Sequence, residues 1–190
     1  MNRIKTYFLA FLLSTCALSA GAQMKWNQTY QTYINQYKDL AIEQKMLNFK
    51  KKILIIFAVG SNENQKSHVA MAKRQLANAF EDIRFAPDMW TKPIGLPHSK
   101  SFLNTVGVTY VHVVEDRVLQ AFRDVERRCG RTVARSRRGE ILIDVDLLFY
   151  EDHFCHEEDW DRDYIQQLVR ELKPYLSEEE WKMLAVKIKE

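Results

Sequence analysis

Asp144 and Asp146 stand two residues apart in Ile143-Asp144-Val145-Asp146-Leu147, where apolar residues alternate with the acids. On a strand this spacing points both carboxylates to one face and Ile143, Val145 and Leu147 to the other. Two like charges held so close repel unless a cation lies between them. Oxygen ligands of this kind suit Mg²⁺, which binds through one or two carboxylates and completes its shell with water and phosphate. A bare Asp-x-Asp pair fits a solvated strand face more often than a metal site, so its neighbours must decide. The basic loop Arg131 to Arg138 offers guanidinium groups whose geometry matches phosphate. It fits a solvated basic turn or a nucleic-acid patch as well. His153, Cys155 and His156 lie among Glu151, Asp152, Glu157, Glu158 and Asp159. Their spacing matches no compact zinc signature, so the segment reads as a solvated acidic linker.

These groups need elements to position them. The continuous apolar run Ile53 to Val59, ended by Gly60-Ser61-Asn62, predicts a buried central strand and its turn. Val69, Ala72, Leu76 and Phe80 recur at helical spacing over 64–80. A strand is predicted near 83–90, then a loop with Pro93, Gly95 and Pro97, then a long strand over 102–114. Val118, Leu119, Phe122, Val125 and Glu126 predict a helix that ends at Gly130, as a helix with a C-terminal glycine does. The acids then sit on a fourth strand over 141–149. The order β-α-β-β-α-β is an α/β (α+β) pattern, the ferredoxin-like antiparallel sheet with helices. Two C-terminal amphipathic helices follow, one on Tyr164, Leu168 and Leu172, the other on Leu176, Trp181, Leu184 and Ile188. Ser177 caps the second, with Glu180 three residues on.

The chain has 190 residues, 46% of them hydrophobic, which suits one core rather than two. Lys and Arg number 28 against 25 Asp and Glu, a net charge of +3, and Gly and Pro are sparse, so disorder, collagen and generic polyanion binding are disfavoured. Cys16, Cys129 and Cys155 are odd in number and widely spaced, which predicts neither a disulfide framework nor a Cys-x-x-Cys metal site. At the N-terminus, Arg3 and Lys5 precede an apolar run from Tyr7 to Leu13, and Ala20-Gly21-Ala22 follows. Residues 1–22 therefore read as a secretory leader, cleaved before Gln23. A lipoprotein signal at Cys16 ranks second because Thr15 is larger than the residue that normally precedes a lipidated cysteine. The apolar run is too short to span a bilayer. Residues 23–49 predict one amphipathic helix, carrying Trp26, Tyr30, Tyr33, Ile34, Tyr37, Leu40 and Ala41.

Two resemblances stand on these residues. Trp26-Asn27-Gln28-Thr29-Tyr30 and Tyr33 to Gln44 resemble the entry helix of secreted glucosaminidase domains over residues 24–44, and the likeness stops at Lys45 with no catalytic glutamate to follow. Over residues 50–150 five motifs stand in order: Ala58-Val59-Gly60-Ser61-Asn62, Thr91-Lys92-Pro93-Ile94-Gly95, Phe102-Leu103-Asn104, Glu126 through Gly130-Arg131, and Gly139-Glu140 ahead of Asp144 to Leu148. These resemble 6-hydroxymethyl-7,8-dihydropterin pyrophosphokinase. The resemblance implies that ATP, with two Mg²⁺ ions, donates its terminal pyrophosphate to the hydroxymethyl oxygen of a reduced pterin in folate biosynthesis, releasing AMP. It implies that Asp144 and Asp146 hold both ions, and that Gly60, Thr91, Lys92, Ile94, Phe102 and Asn104 frame the pterin. It also implies nucleotide contacts from Glu126, Arg131, Arg137 and Leu147, with the two arginines and the two aspartates catalytic.

This chain departs from that pattern in three places. Ile141 stands on the strand where the family has an arginine, Arg138 replaces a loop aromatic, and no His-Pro follows Phe149. The terminal helices are then expected to be packing elements that replace a nucleotide-closing segment. The expected function is the pyrophosphokinase, with a non-catalytic pterin- or nucleotide-binding relative or a secreted cell-envelope protein as alternatives. Partners are ATP and a reduced pterin, with no nucleic acid and no stable membrane association for the kinase-like domain, residues 50–190. ATP and reduced pterins place that domain in the cytoplasm, whereas the leader predicts secretion. The expectation that would reconcile the two is a fused or misassigned start over the leading 45 residues, with Met46 as the natural initiator.

Overall fold

The computed structural model describes residues 52–94 and 100–189, together with seven helical residues between Gln28 and Lys38. The chain divides into two compact units, Met1–Asn48 and Phe49–Glu190. In the first, Gln28, Thr29, Gln31, Thr32, Asn35, Gln36 and Lys38 are helical and exposed. Thr32 donates its hydroxyl to the Gln28 carbonyl one turn back, at 2.9 Å. The leader and its cleavage point, Cys16, the apolar positions of the 23–49 helix, Met46, Gly95 and Pro97 lie outside the described residues. Among the described residues no helix is long and apolar enough to cross a membrane.

The second unit begins with β1 (Ile53–Ser61). A strand this apolar must be covered on both faces, and β1 accordingly lies at the centre of the sheet. It pairs antiparallel with β4 (Phe102–Val111) on one side and β5 (Asp144–Tyr150) on the other. The predicted strand near 83–90 is two short ones, β2 (Arg84–Phe85) and β3 (Met89–Thr91), both paired with β4. Ala86 interrupts them, its backbone tied to Val106 and its carbonyl taken by the Thr105 hydroxyl. A hairpin strand, β6 (His153–Phe154), completes the sheet on the far side of β5.

Helices cover both faces. Ile53, Ile55, Phe57 and Val59 of β1 pack under α1 (Gln65–Ala79) and α2 (Glu115–Arg128), which contribute Val69, Ala72 and Leu76, and Val118, Phe122 and Val125. Leu54 and Ile56 point the other way, against Ile165, Leu168 and Val169 of α4 (Asp163–Glu171) and Leu184 of α5 (Glu178–Ala185). Ser177 caps α5, and Glu180 bonds back to the Ser177 backbone, as the sequence predicts.

Three further expectations need correction. The basic loop contains a short helix, α3 (Val133–Arg137), capped by the Thr132 hydroxyl. The fourth strand starts at Asp144, so Ile141 precedes it rather than lying on it. The buried Asn62 side chain takes the Ile141 N–H and donates to the Gly139 carbonyl, both at 2.7 Å, so the approach to β5 bonds to a turn instead of a strand. The supposed acidic linker is β6 and a 3-10 turn (Glu157–Asp161) that buries Trp160 and Asp159. The structure also shows a feature with no counterpart in the sequence reading: the β1–β5 register shifts between Ile56 and Phe57. This bulge at Leu148 lets Leu148 and Phe149 both face α4 while Tyr150 joins the α1–α2 side.

Phe57 shows how closely the centre is filled. Its ring meets Phe122 at 5.1 Å and Phe85 edge-on at 6.0 Å, and it lies over Gly107 of β4. A Cβ at Gly107 would stand 2.4 Å from the ring edge. Gly107→Ala is therefore expected to lower the urea unfolding free energy by about 1–3 kcal/mol. Adding Phe57→Leu to that variant should recover part of the loss.

Candidate active site

The α4–α5 layer does not cover the whole face. Along β1 the side chains on this face run Leu54, Ile56, Ala58, Gly60, from large to small, and the small pair floors a cleft of about 260 Å³. Asn104 and Phe102 of β4 form one wall, continued by Thr91, Lys92 and Ile94. Asp144 and Asp146 of β5, with Ile141, form the other. Asp159, Arg162 and Tyr164 close the cleft from the C-terminal segment.

Gly60 is required by its neighbour. A Cβ there would lie 2.6 Å from Asn104 Oδ1 and 3.7 Å from Phe102. Asn104 is nearly buried and donates Nδ2 to the Thr91 hydroxyl at 2.7 Å, which fixes the plane of its amide. A flat heterocycle entering the cleft thus finds an oriented amide, a hydroxyl and an aromatic ring around a floor of Ala58 and Gly60.

The opposite wall is built to hold negative charge. After α2, Gly130 (φ 86°) turns the chain so that its N–H bonds Arg127 O and the Arg131 N–H bonds Glu126 O, each at 3.0 Å. That turn sets Arg131 beside Glu126. The Arg131 guanidinium bonds both Glu126 and Asp144. Glu126 also accepts the Val145 N–H at 3.0 Å, on the side of β5 away from β1. Burial pushes the Glu126 carboxyl above the usual range despite these donors. Asp146 has no such guanidinium bond. Burial, followed by the neighbouring Asp144 charge, raises its pKa to about 6. Two carboxylates on one face, one countered by arginine and one held at a raised pKa, fit a hard divalent cation whose donors are all oxygen.

The C-terminal segment is where sequence reasoning fell short. Read as packing alone, it delivers a guanidinium to the cleft: Arg162 bonds Asp159 at 2.6 Å and reaches the Tyr164 hydroxyl at 3.3 Å. Trp160 anchors this segment by donating its indole N–H to the Leu148 carbonyl at 3.0 Å, and Gln166 bonds the Trp160 carbonyl. Ile165, Leu168 and Val169 at helical spacing could have flagged α4 as a cover, and Arg162 immediately before it as the residue that cover positions. Arg138 does not replace the arginine absent at Ile141: it is exposed and held by both oxygens of Glu140, at 2.8 and 3.0 Å.

Gly60, Thr91, Lys92, Ile94, Phe102, Asn104, Asp144 and Asp146 share the cleft. Glu126, Arg131 and Arg137 instead line a separate, open hollow of about 720 Å³ between α2 and α3, and the Arg131–Asp144 pair links it to the cleft wall. The Leu147 side chain points away from the cleft into the α1–α2 core and is 1% exposed, so it offers a nucleotide no side-chain contact.

The family model of 7,8-dihydro-6-hydroxymethylpterin-pyrophosphokinase (HPPK) matches residues 56–174, well over half of the chain. The chain belongs to this family. The matched span includes Asp159, Arg162 and Tyr164 as well as both walls of the cleft. No curated protein matches the chain.

Between about pH 4 and 6 the folded protein holds a proton on Asp146 that the unfolded chain has lost, so this group makes the fold less stable as pH rises through that window. Asp146→Asn is expected to stabilise the protein at pH 7.5 by up to about 3 kcal/mol. The gain should vanish below about pH 4, where aspartate is protonated in both states. Thermal unfolding of the two proteins across this pH range measures it. Equal stability of variant and wild type at pH 7.5 would contradict the raised pKa.

Proposed function

We propose that this member of the pyrophosphokinase family transfers the terminal pyrophosphate of ATP to the hydroxymethyl oxygen of 6-hydroxymethyl-7,8-dihydropterin, releasing AMP. The observation that carries this reading is that one cleft sets a frame for a flat heterocycle directly opposite a charged wall. Asn104, oriented by Thr91, offers hydrogen bonds to a pterin edge, Phe102 offers a face to stack on, and Gly60 leaves room beneath. Across the cleft, Asp144 and Asp146 would hold Mg²⁺, two ions in our reading, and Arg162 faces the same space. When bound, the metal supplies positive charge to the triphosphate and to the leaving oxygen.

In the transfer, the pterin hydroxymethyl oxygen bonds to the β-phosphorus as the bridge between the α- and β-phosphorus breaks. AMP keeps the bridging oxygen, and the hydroxyl proton passes to solvent or to the carboxylate wall. Such reactions depend on positioning and charge stabilisation rather than on covalent help from the protein. Thr91 and Asn104 fix the acceptor, the Glu126–Arg131–Asp144 chain holds the carboxylate wall in place, and Arg162 offers the transferred group its guanidinium. The Arg162 charge is held close by Asp159 until an anion competes for it. A reaction that consumes ATP assigns this unit to the cytoplasm.

Ile141, an apolar residue on the cleft wall, favours a second reading in which the protein binds pterin and nucleotide without turnover. Incubating the full chain with ATP, Mg²⁺ and the hydroxymethyl pterin separates the two. The first expects stoichiometric AMP and pterin pyrophosphate, and the second expects pterin binding without AMP. If the enzyme is active, Arg162→Ala should lower kcat by roughly 10³-fold and leave the pterin KM nearly unchanged, because its charge acts on phosphate. Gly60→Ala should do the opposite. Pushing the Asn104 amide out of plane should raise the pterin KM about tenfold, the effect of one or two lost hydrogen bonds, with little change in kcat.

A further inference from the structure

At the far end of β5 from the two aspartates, and on the other face of the sheet, the chain turns through Glu151 (φ 59°) and Asp152 into β6. His153 pairs with Tyr150, whose side chain lies in the α1–α2 core, so His153 projects to that face. Cys155, two residues on, packs against the same core, and its backbone is fixed by a 2.8 Å bond from its N–H to the Leu148 carbonyl. Glu115, in the first turn of α2, meets both. Its Oε2 lies 3.4 Å from His153 Nε2, and its Oε1 accepts the Cys155 thiol hydrogen at 3.9 Å. One ligand atom from each residue falls within 4.8 Å of the others. None of the three lines the cleft.

A tetrahedral zinc ion with N and O ligands near 2.0–2.1 Å and S near 2.3 Å separates its ligands by about 3.3–3.7 Å. The 3.4 Å between His153 Nε2 and Glu115 Oε2 falls on such an edge, whereas Cys155 Sγ, 3.9 Å from Glu115 Oε1, must draw in by a few tenths of an ångström to complete the set. Asp152 Oδ1 lies 3.7 Å from His153 Nδ1, near this nitrogen but beyond hydrogen-bond distance. Drawn in by about half an ångström, that carboxylate would hold the proton on Nδ1 and leave Nε2 free to ligate. The sequence hid this arrangement because the third ligand comes from the start of α2, not from the His153-Cys155-His156 stretch.

We propose that Glu115, His153 and Cys155 bind a borderline divalent cation, zinc by the chemistry of the donors, with the fourth position open to water. The thiol gives one proton to solvent as the sulfur–metal bond forms, and no electron is transferred. Thiolate and carboxylate together balance the charge of the ion. A sulfur and an imidazole in the set reject Mg²⁺, so this site and the carboxylate wall of the cleft take different metals. The ion would tie the β5–β6 hairpin to the first turn of α2.

Cobalt(II) tests it. The full chain, stripped with chelator and given one equivalent of cobalt at pH 8, should show thiolate-to-cobalt charge-transfer absorption and tetrahedral ligand-field bands. Zinc should abolish both, and excess Mg²⁺ should not. Cys155→Ser should remove the charge-transfer band. His153→Gln, at a half-exposed side chain that touches the core through the Tyr150 ring, should weaken zinc binding by at least about 10²-fold in chelator competition, with an unchanged circular dichroism spectrum. Even the partners of a ligand are worth about 10–100-fold. Absence of a thiolate band in the wild type, its survival in Cys155→Ser, or unaltered zinc affinity in His153→Gln would overturn the proposal.

Discussion

The repulsion between Asp144 and Asp146 is what the surrounding structure is arranged to contain. A strand that places two carboxylates on one face is unfavourable unless something offsets their charge. Here the offset is uneven. Asp144 receives a guanidinium from Arg131, whereas burial raises the pKa of Asp146 to about 6. The support for Asp144 reaches back through several elements. A glycine-dependent turn ends α2, places Arg131 beside Glu126, and lets Glu126 accept a backbone N–H from β5 itself. Asn62, at the end of β1, holds the segment that leads into β5 from the other side. The acids are thus held by bonds to their backbone and to one oxygen-bearing side chain, leaving Asp146 as the stored cost that a bound cation would relieve.

The opposite wall follows a different rule, which is exclusion rather than charge. Gly60 is present because Asn104 occupies the space a Cβ would need, and Asn104 is oriented because Thr91 takes its hydrogen. Three residues from three strands therefore form one rigid frame. The helical layer that closes this face stops short of Ala58 and Gly60. Its leading edge carries Asp159, Arg162 and Tyr164, so the cover and the charged lip of the cleft are one segment. Trp160 makes this possible: a large buried side chain hydrogen-bonded to the β5 backbone fixes the chain on either side of it.

The bulge at Leu148 divides β5 into two halves with different surroundings. Before it, the acids face the cleft. After it, Tyr150 and the hairpin strand turn to the α1–α2 side, where His153 and Cys155 meet Glu115. A single extra residue in one strand thereby places hard oxygen ligands at one end and mixed sulfur, nitrogen and oxygen ligands at the other, on opposite faces.

Much of this was legible in the residues. The uninterrupted apolar run of β1 dictates a central strand, because only a strand covered on both faces has no polar side. The alternation around Asp144 and Asp146 dictates that both acids share a face, since the strand period is two. The Ser177–Glu180 box and Gly130 mark a helix start and a helix end by local hydrogen bonding alone. What the sequence could not determine depends on contacts between distant segments. That Leu147 belongs to the core, that Arg131 serves Asp144 from outside the cleft, and that Arg162 lines the same cleft as Ile141 are set by which face each element turns toward its neighbours. Periodicity records which residues share a face, but not which other segment will cover it. The short strand β6, the helix α3 and the break that divides the predicted strand near 83–90 into β2 and β3 escaped for the same reason: each involves too few residues to carry a period and is set by backbone bonds to β4, β5 or a capping threonine.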